Sequence, residues 1–192
     1  MAAPDAPFLL VSSPAGGVSP LTVSFTLLGV PDSATIQADF DGNGTIDFTG
    51  QRLAEQAFTY VQPGLFVPIV KVTDAQGQRT TIPGVVQVFD RASLDALLQA
   101  KWASMRDSLR RGDIAQALTQ ISERSRNRYQ QAFTALLPDL PAVDTILTDV
   151  RFVRARGLEA LFEMRRTDAG MLKSFEVRFN VDADGFWRVR SF

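Results

Sequence analysis

VVQVFDRASLDALLQAKWASMRDSL, Val85 to Leu109, carries the change of rhythm on which the fold turns. Before Asp90, apolar and β-branched runs (PFLLVSS, LTVSFTLL, ATIQADF, FVPIVKVTD, GVVQVFD) alternate with Pro, Gly, Asn and Asp at short intervals. That pattern predicts short antiparallel strands packed as a sandwich. After Asp90 the period lengthens. Leu94, Leu97, Leu98, Trp102, Met105 and Leu109 recur three or four residues apart and mark one face of a helix. Ser93 is the expected cap and Gly112 the expected end.

Downstream, Asp113 is placed to cap a second helix carrying Ile114, Ala117, Leu118 and Ile121. A third, from about Arg124 to Leu136, presents Tyr129, Phe133 and Leu136 before Pro138 stops it. From Asp144 onward, TILTDVRFVRA, LEALFEMRR, MLKSFEVRFNV and FWRVRSF read as four strands, with Gly157, Gly170 and Gly185 in the connections. Helices followed by an antiparallel meander predict an α+β domain with helices on one sheet face. The expected domains are residues 1–90 and 91–192.

Charge supports the same division. The chain of 192 residues has a formal net charge of −1, which gives no overall pull toward nucleic acid or anionic membrane. Residues 1–90 carry 3 Lys+Arg against 8 Asp+Glu, and residues 91–192 carry 17 against 13. Cys and His are both absent, so disulfides, thiolate metal sites, cysteine nucleophiles and histidine general bases are excluded. No apolar run reaches the roughly 20 residues of a membrane span. MAAPDAPFLL lacks a basic region before its apolar run and is not an intact signal peptide. The expectation is a piece of a longer chain.

Two resemblances join these readings. SPAGGVSPLTVSFT, ADFDGNG, FTYVQPGLFVPIVKVTDAQGQ and the closing VVQVF, over about residues 6–90, resemble the polycystic kidney disease (PKD) domain, an all-β immunoglobulin-like sandwich of bacterial surface and secreted proteins. Where that family has a Trp before Asp-Phe this chain has Ala38, which leaves Phe40, Phe58 or Phe66 to fill the core. WASMRDSLRRGDIAQALTQISERSRNRY, SFEVRFNV and DADGFWRVRSF resemble the nuclear-transport-factor-2-like family, an α+β cone of three helices packed on a curved four-stranded antiparallel sheet. Together they imply an extracellular or cell-surface location in the C-terminal part of a larger bacterial protein. They also imply a protein or surface-polymer partner and a homodimer through the C-terminal sheet.

DFDGNGTID, Asp39 to Asp47, is the one stretch with metal-ligand spacing. Asp39, Asp41, Asn43 and Asp47 fall at positions one, three, five and nine of a calcium loop, Gly44 at position six, and Thr45 offers a carbonyl at seven. Position twelve is Gly50 rather than Glu, so a further carboxylate must come from Asp32, Glu55 or Asp74. A structural Ca2+ site and a bare acidic Asn-Gly turn both fit these residues. DADG, Asp182 to Gly185, reads as a hairpin turn.

Polar candidates for a cone pocket are Tyr129, Asp149, Glu159 and Glu163. An isomerase-type or cyclase-like site needs a carboxylate base opposite a Tyr, the pair Tyr129 and Asp149. Arg188 and Arg190 share a strand face and are expected to pair with Glu163 or Glu176. Arg124, Arg126 and Arg128 read as a solvated helix surface, and Trp102 and Trp187 as core or interface. The favoured function is non-catalytic: an extracellular binding, adhesion or spacer module. The alternative is a small-ligand carrier or enzyme using the cone pocket.

Overall fold

The computed structural model describes residues 8–54 and 56–192. Among them the chain up to Asp90 forms β1 (Leu9–Ser13), β2 (Gly16–Val18), β3 (Leu21–Leu28), β4 (Thr35–Asp39), β5 (Phe48–Gly50), β6 (Gln56–Tyr60), β7 (Gly64–Phe66), β8 (Ile69–Thr73), β9 (Arg79–Pro83) and β10 (Val86–Phe89). There follow α1 (Arg91–Arg110), α2 (Ile114–Leu118), a 3-10 turn (Glu123–Ser125), α3 (Arg126–Ala135) and a 3-10 segment (Leu137–Thr145). Strands β11 (Val150–Arg156), β12 (Glu159–Asp168), β13 (Met171–Val181) and β14 (Trp187–Ser191) close the chain. Contacts divide it into two units, Met1–Asp90 and Arg91–Phe192.

In the first unit β3 shows the cause of strand formation. Leu21, Val23 and Phe25 point inward and Thr22, Ser24 and Thr26 outward, the period-two pattern of a half-buried strand. β3 pairs with β1 on one side and β6 on the other. A second sheet runs β5-β4-β8-β9, and β10 pairs parallel with β2 and antiparallel with β7. The interior holds a run of rings. Phe25 stacks on Phe40 at 4.7 Å, Phe40 meets Phe58 at 5.7 Å, Phe58 meets Tyr60 at 5.0 Å, and Tyr60 meets Phe66 at 4.6 Å. Aromatic burial of this kind dominates core energetics, and Ala38 belongs to the same buried cluster.

In the second unit, α1 buries Leu94, Leu98, Trp102, Met105 and Leu109, whereas Leu97 stays 46% exposed. The helix begins at Arg91, ahead of Ser93. It ends as expected: Gly112 has φ of +73°, its N–H bonds Leu109 C=O at 2.8 Å, and Asp113 N–H bonds Ser108 C=O at 2.9 Å. This paired return satisfies carbonyls that the last turn leaves free. Asp113 then caps α2 by accepting from Gln116 N–H at 3.0 Å. β11 to β14 pair in chain order, each antiparallel to the next, and the face that includes Phe162, Val177, Phe179 and Val189 is buried.

The expected fold class is corrected. An immunoglobulin-like sandwich followed by a cone of three helices on a four-stranded sheet is not what forms. The strands lie in three sheets, and 43% strand against 26% helix makes the molecule mainly β. Prolines supply much of the reason. Pro14 and Pro20 lack the N–H that a continuous ladder needs, so SPAGGVSPLTVSFT breaks into β1, β2 and β3. β2 then pairs with β10 and leaves the ladder of β1 and β3. In the second unit α2 has only 5 residues and α3 only 10. Pro138 and Pro141 hold Leu137–Thr145 as a 3-10 run kinked at Ala142. These pieces pack on one another and on α1, rather than as three helices laid across the sheet.

Candidate functional site

β4 delivers Asp39 to the inner end of the acidic loop, and the chain folds back on it. Asp39 is only 5% exposed. Its Oδ1 accepts from Gly42 N–H at 2.7 Å and Asn43 N–H at 3.2 Å, and its Oδ2 accepts from Gly44 N–H at 2.8 Å. Asp47 Oδ2 accepts from Phe40 N–H at 2.7 Å. Asp41 accepts from the backbone and side-chain amides of Asn43 at 3.1 and 3.0 Å. Asn43 Oδ1 accepts from Thr45 N–H at 2.7 Å. Carboxylate oxygens of Asp39, Asp41 and Asp47 lie within 4.8 Å of one another. Among the described residues none of the three is in an ion pair.

The extra carboxylates do not converge here. Asp32 pairs with Arg52 at 2.8 Å, and Asp74 folds on its own turn, accepting from Gln76 and Gln78 N–H at 2.9 and 2.8 Å. Glu55 lies outside the described residues. Two loop residues escaped the sequence reading. Gly42 has φ of +75°, and a Cβ there would come within 2.7 Å of Val67 O, so only glycine fits. Tyr60 donates its hydroxyl to Phe40 C=O at 2.6 Å beneath the loop. Burial pushes the Tyr60 phenol well above its ordinary range, and the charges of Asp41, Asp47 and Asp39 push it further. Only the position of Tyr60 at the end of a strand hinted at this role.

The second acidic turn is built differently. Asp182–Gly185 joins β13 to β14, with Gly185 at φ +83° and Gly185 N–H bonding Asp182 C=O at 2.9 Å. The Asp182 side chain is 9% exposed and accepts from Ser122 Oγ at 2.7 Å, Glu123 N–H at 3.1 Å, Asn180 Nδ2 at 2.9 Å and Arg188 at 3.2 Å. Burial pushes its carboxyl up, but these donors outweigh burial and hold it below the usual range. Arg188 grips Asp184 with two bonds of 2.7 Å, which is the main reason the Asp184 carboxyl is held at about 2.

The proposed acid-base pair is not assembled. The Tyr129 hydroxyl accepts from Phe192 N–H at 2.8 Å and donates to Phe192 C=O at 3.2 Å, whereas Asp149 is exposed and pairs with Arg106 at 2.7 Å. Glu163 is bonded by Arg165, Ser174 and Arg151, and these hold its carboxyl at about 2. Glu159 pairs with Arg190, and Glu176 with Arg178. Arg188 and Arg190 therefore pair with Asp182, Asp184 and Glu159 rather than with Glu163 or Glu176. Tyr129 lines a half-open apolar groove of about 270 Å³ with Leu109, Phe133, Met164, Phe175 and Phe192, and the carboxylate on its lining, Asp139, is exposed.

No family model matches the chain, and no curated protein does. Among solved structures the chain is similar to SGBP-B of the Bacteroides ovatus mixed-linkage glucan utilization locus, in complex with a mixed-linkage heptasaccharide, at 13% identity and a TM-score of 0.23. The alignment covers 93% of this chain and 40% of that one. Likeness at that level leaves fold and ligand to be argued from this chain's own residues.

Proposed function

We propose that the chain is a non-catalytic binding or spacer module of an extracellular or cell-surface protein, and that Asp39, Asp41, Asn43, Thr45 and Asp47 hold a structural Ca2+. The observation behind this reading is the convergence of three carboxylates within 4.8 Å, with no guanidinium or ammonium paired to them among the described residues. Like charges so close repel, and a divalent cation relieves that repulsion while accepting oxygens already turned inward. Calcium modules of this kind work outside the cell with dissociation constants of roughly 10⁻⁴–10⁻³ M.

Scanning calorimetry in EDTA and then in millimolar calcium tests it. At tenfold saturation the first unit should gain about 1.4 kcal/mol, on the order of 5 °C in its transition. The gain should vanish in Asp41→Ala, whose carboxylate is bonded to Asn43 alone among the described residues. No shift would make the loop a bare turn. A second reading, capture of a small apolar ligand, is favoured by the groove beside Tyr129. An apolar fluorophore that binds and is displaced by Phe133→Asp supports that reading.

A further inference from the structure

The outward face of the C-terminal meander carries more guanidinium than carboxylate. Arg151, Arg154 and Arg156 stand on β11, Glu163 and Arg165 on β12, and Glu176 and Arg178 on β13, all away from the buried face. Three ion pairs use up the glutamates: Arg151 with Glu163 at 2.8 Å, Arg178 with Glu176 at 2.6 Å, and Arg190 with Glu159 at 2.5 Å. Arg154 and Arg156 are exposed and take part in no ion pair among the described residues. Two residues apart on one strand, their side chains share a face at a spacing of roughly 7 Å.

A half-open depression of about 190 Å³ lies between them and Arg178, lined also by Ala160, Leu161 and Glu159, whose carboxylate is held by Arg190. We propose that this depression binds a carboxylate-bearing polysaccharide, with Arg154 and Arg156 as its contacts and Arg178, held by Glu176, at its border. The planar fork of arginine matches a carboxylate in two bonds, the geometry Arg188 already makes with Asp184. The lining has no aromatic ring, whereas single-stranded nucleic acid needs stacking platforms. It has no exposed aliphatic anchor either, whereas a protein partner needs one at the centre of its footprint. A second copy of the chain, face to face, would set this surplus of arginine against itself. The inference rests on the reading of the chain as a binding module but not on the calcium loop.

The test is binding of the purified chain to polygalacturonate in EDTA at about 20 mM salt, by affinity electrophoresis and interferometry. Retention is expected, falling steeply with salt and weakened about tenfold in the double variant Arg154→Ser/Arg156→Ser. Arg52→Ser, which removes an exposed arginine from the first unit, should leave binding unchanged. Both sites are exposed, so the variants should melt as the parent does. No retention on polygalacturonate overturns the proposal, as does equal retention on neutral dextran or equal loss with Arg52→Ser. Tighter binding of polyglutamate or an oligothymidylate through the same arginines overturns it in favour of that partner. Dimerisation seen by light scattering and abolished in the double variant overturns it in favour of a second copy. Because EDTA removes calcium, failure here leaves the reading of Asp39–Asp47 untouched.

Discussion

The two acidic turns use the same residue types and solve the same electrostatic problem in opposite ways. In Asp39–Asp47 the buried carboxylate is received by three backbone amides of its own loop. In Asp182–Gly185 the buried carboxylate is received by side chains and amides brought from elsewhere, including Arg188 and Ser122. The second turn therefore carries its own cation, and the first carries none among the described residues. An acidic turn is thus a candidate for a metal only where the fold has not already supplied a guanidinium.

The largest break in this comparison should come from Asp39→Ala. It leaves three amide donors without a partner in a part-buried site. At about 1 kcal/mol per lost bond, a loss of about 3 kcal/mol is expected in the first unit's unfolding, read by urea titration. Asp74→Ala, in an exposed turn with two such bonds, should cost clearly less. Equal losses would dissolve the distinction between an anchored loop and an ordinary turn.

Asp182→Ala should cost nearly as much, about 3 kcal/mol in the second unit, because Ser122, the Glu123 N–H and Asn180 lose their shared acceptor while Arg188 keeps Asp184. If calcium restored stability here as well as in the first unit, the built-in cation would not be what separates the turns. Tyr60→Phe should cost about 1 kcal/mol, since it removes only the bond to Phe40 C=O. The calcium shift of the first unit should survive that change in smaller form.

The smallest effect is one of pH. Asp184 and Glu163 are held at about 2 in the folded state, below the unfolded value near 4. A depressed carboxyl contributes stability that is complete above the unfolded value and lost as pH falls toward 2. The second unit's transition should therefore weaken between about pH 4 and pH 2, and Arg188→Met should move the Asp184 carboxyl resonance toward its ordinary titration range. The tyrosines mirror this at the other extreme. Both phenols are raised, Tyr60 by burial and then by the loop aspartates, Tyr129 by burial. Stability tied to them is complete below the unfolded value near 10 and is lost only above it. Ultraviolet titration should show neither ionising ahead of unfolding.

Local signals in the chain carried a long way. LTVSFTLL is β3 from end to end, the meander strands fall where FEMRR, SFEVRFNV and WRVRS predict them, and Gly112, Asp113 and Gly185 make the caps and turns expected of them. Each depends on a few neighbouring residues, and neighbours are what a linear pattern records. The architecture was less legible. The departure of β2 to β10 changed the fold class, because pairings across seventy residues leave no local periodicity, whereas the stop of α3 ahead of Pro138 was legible.

The candidate sites divide in the same manner. By its spacing alone the sequence determined that Asp39, Asp41 and Asp47 sit on one short loop, since a chain of nine residues that turns sharply must gather them. Only the tertiary structure decided that Tyr60 underlies that loop, that Gly42 faces Val67, that Asp149 turns to Arg106 and away from Tyr129, and that Arg188 answers Asp182 and Asp184. The reason is physical: a carboxylate takes whichever donor the packed backbone brings within hydrogen-bond reach, and that choice is made after the strands have paired.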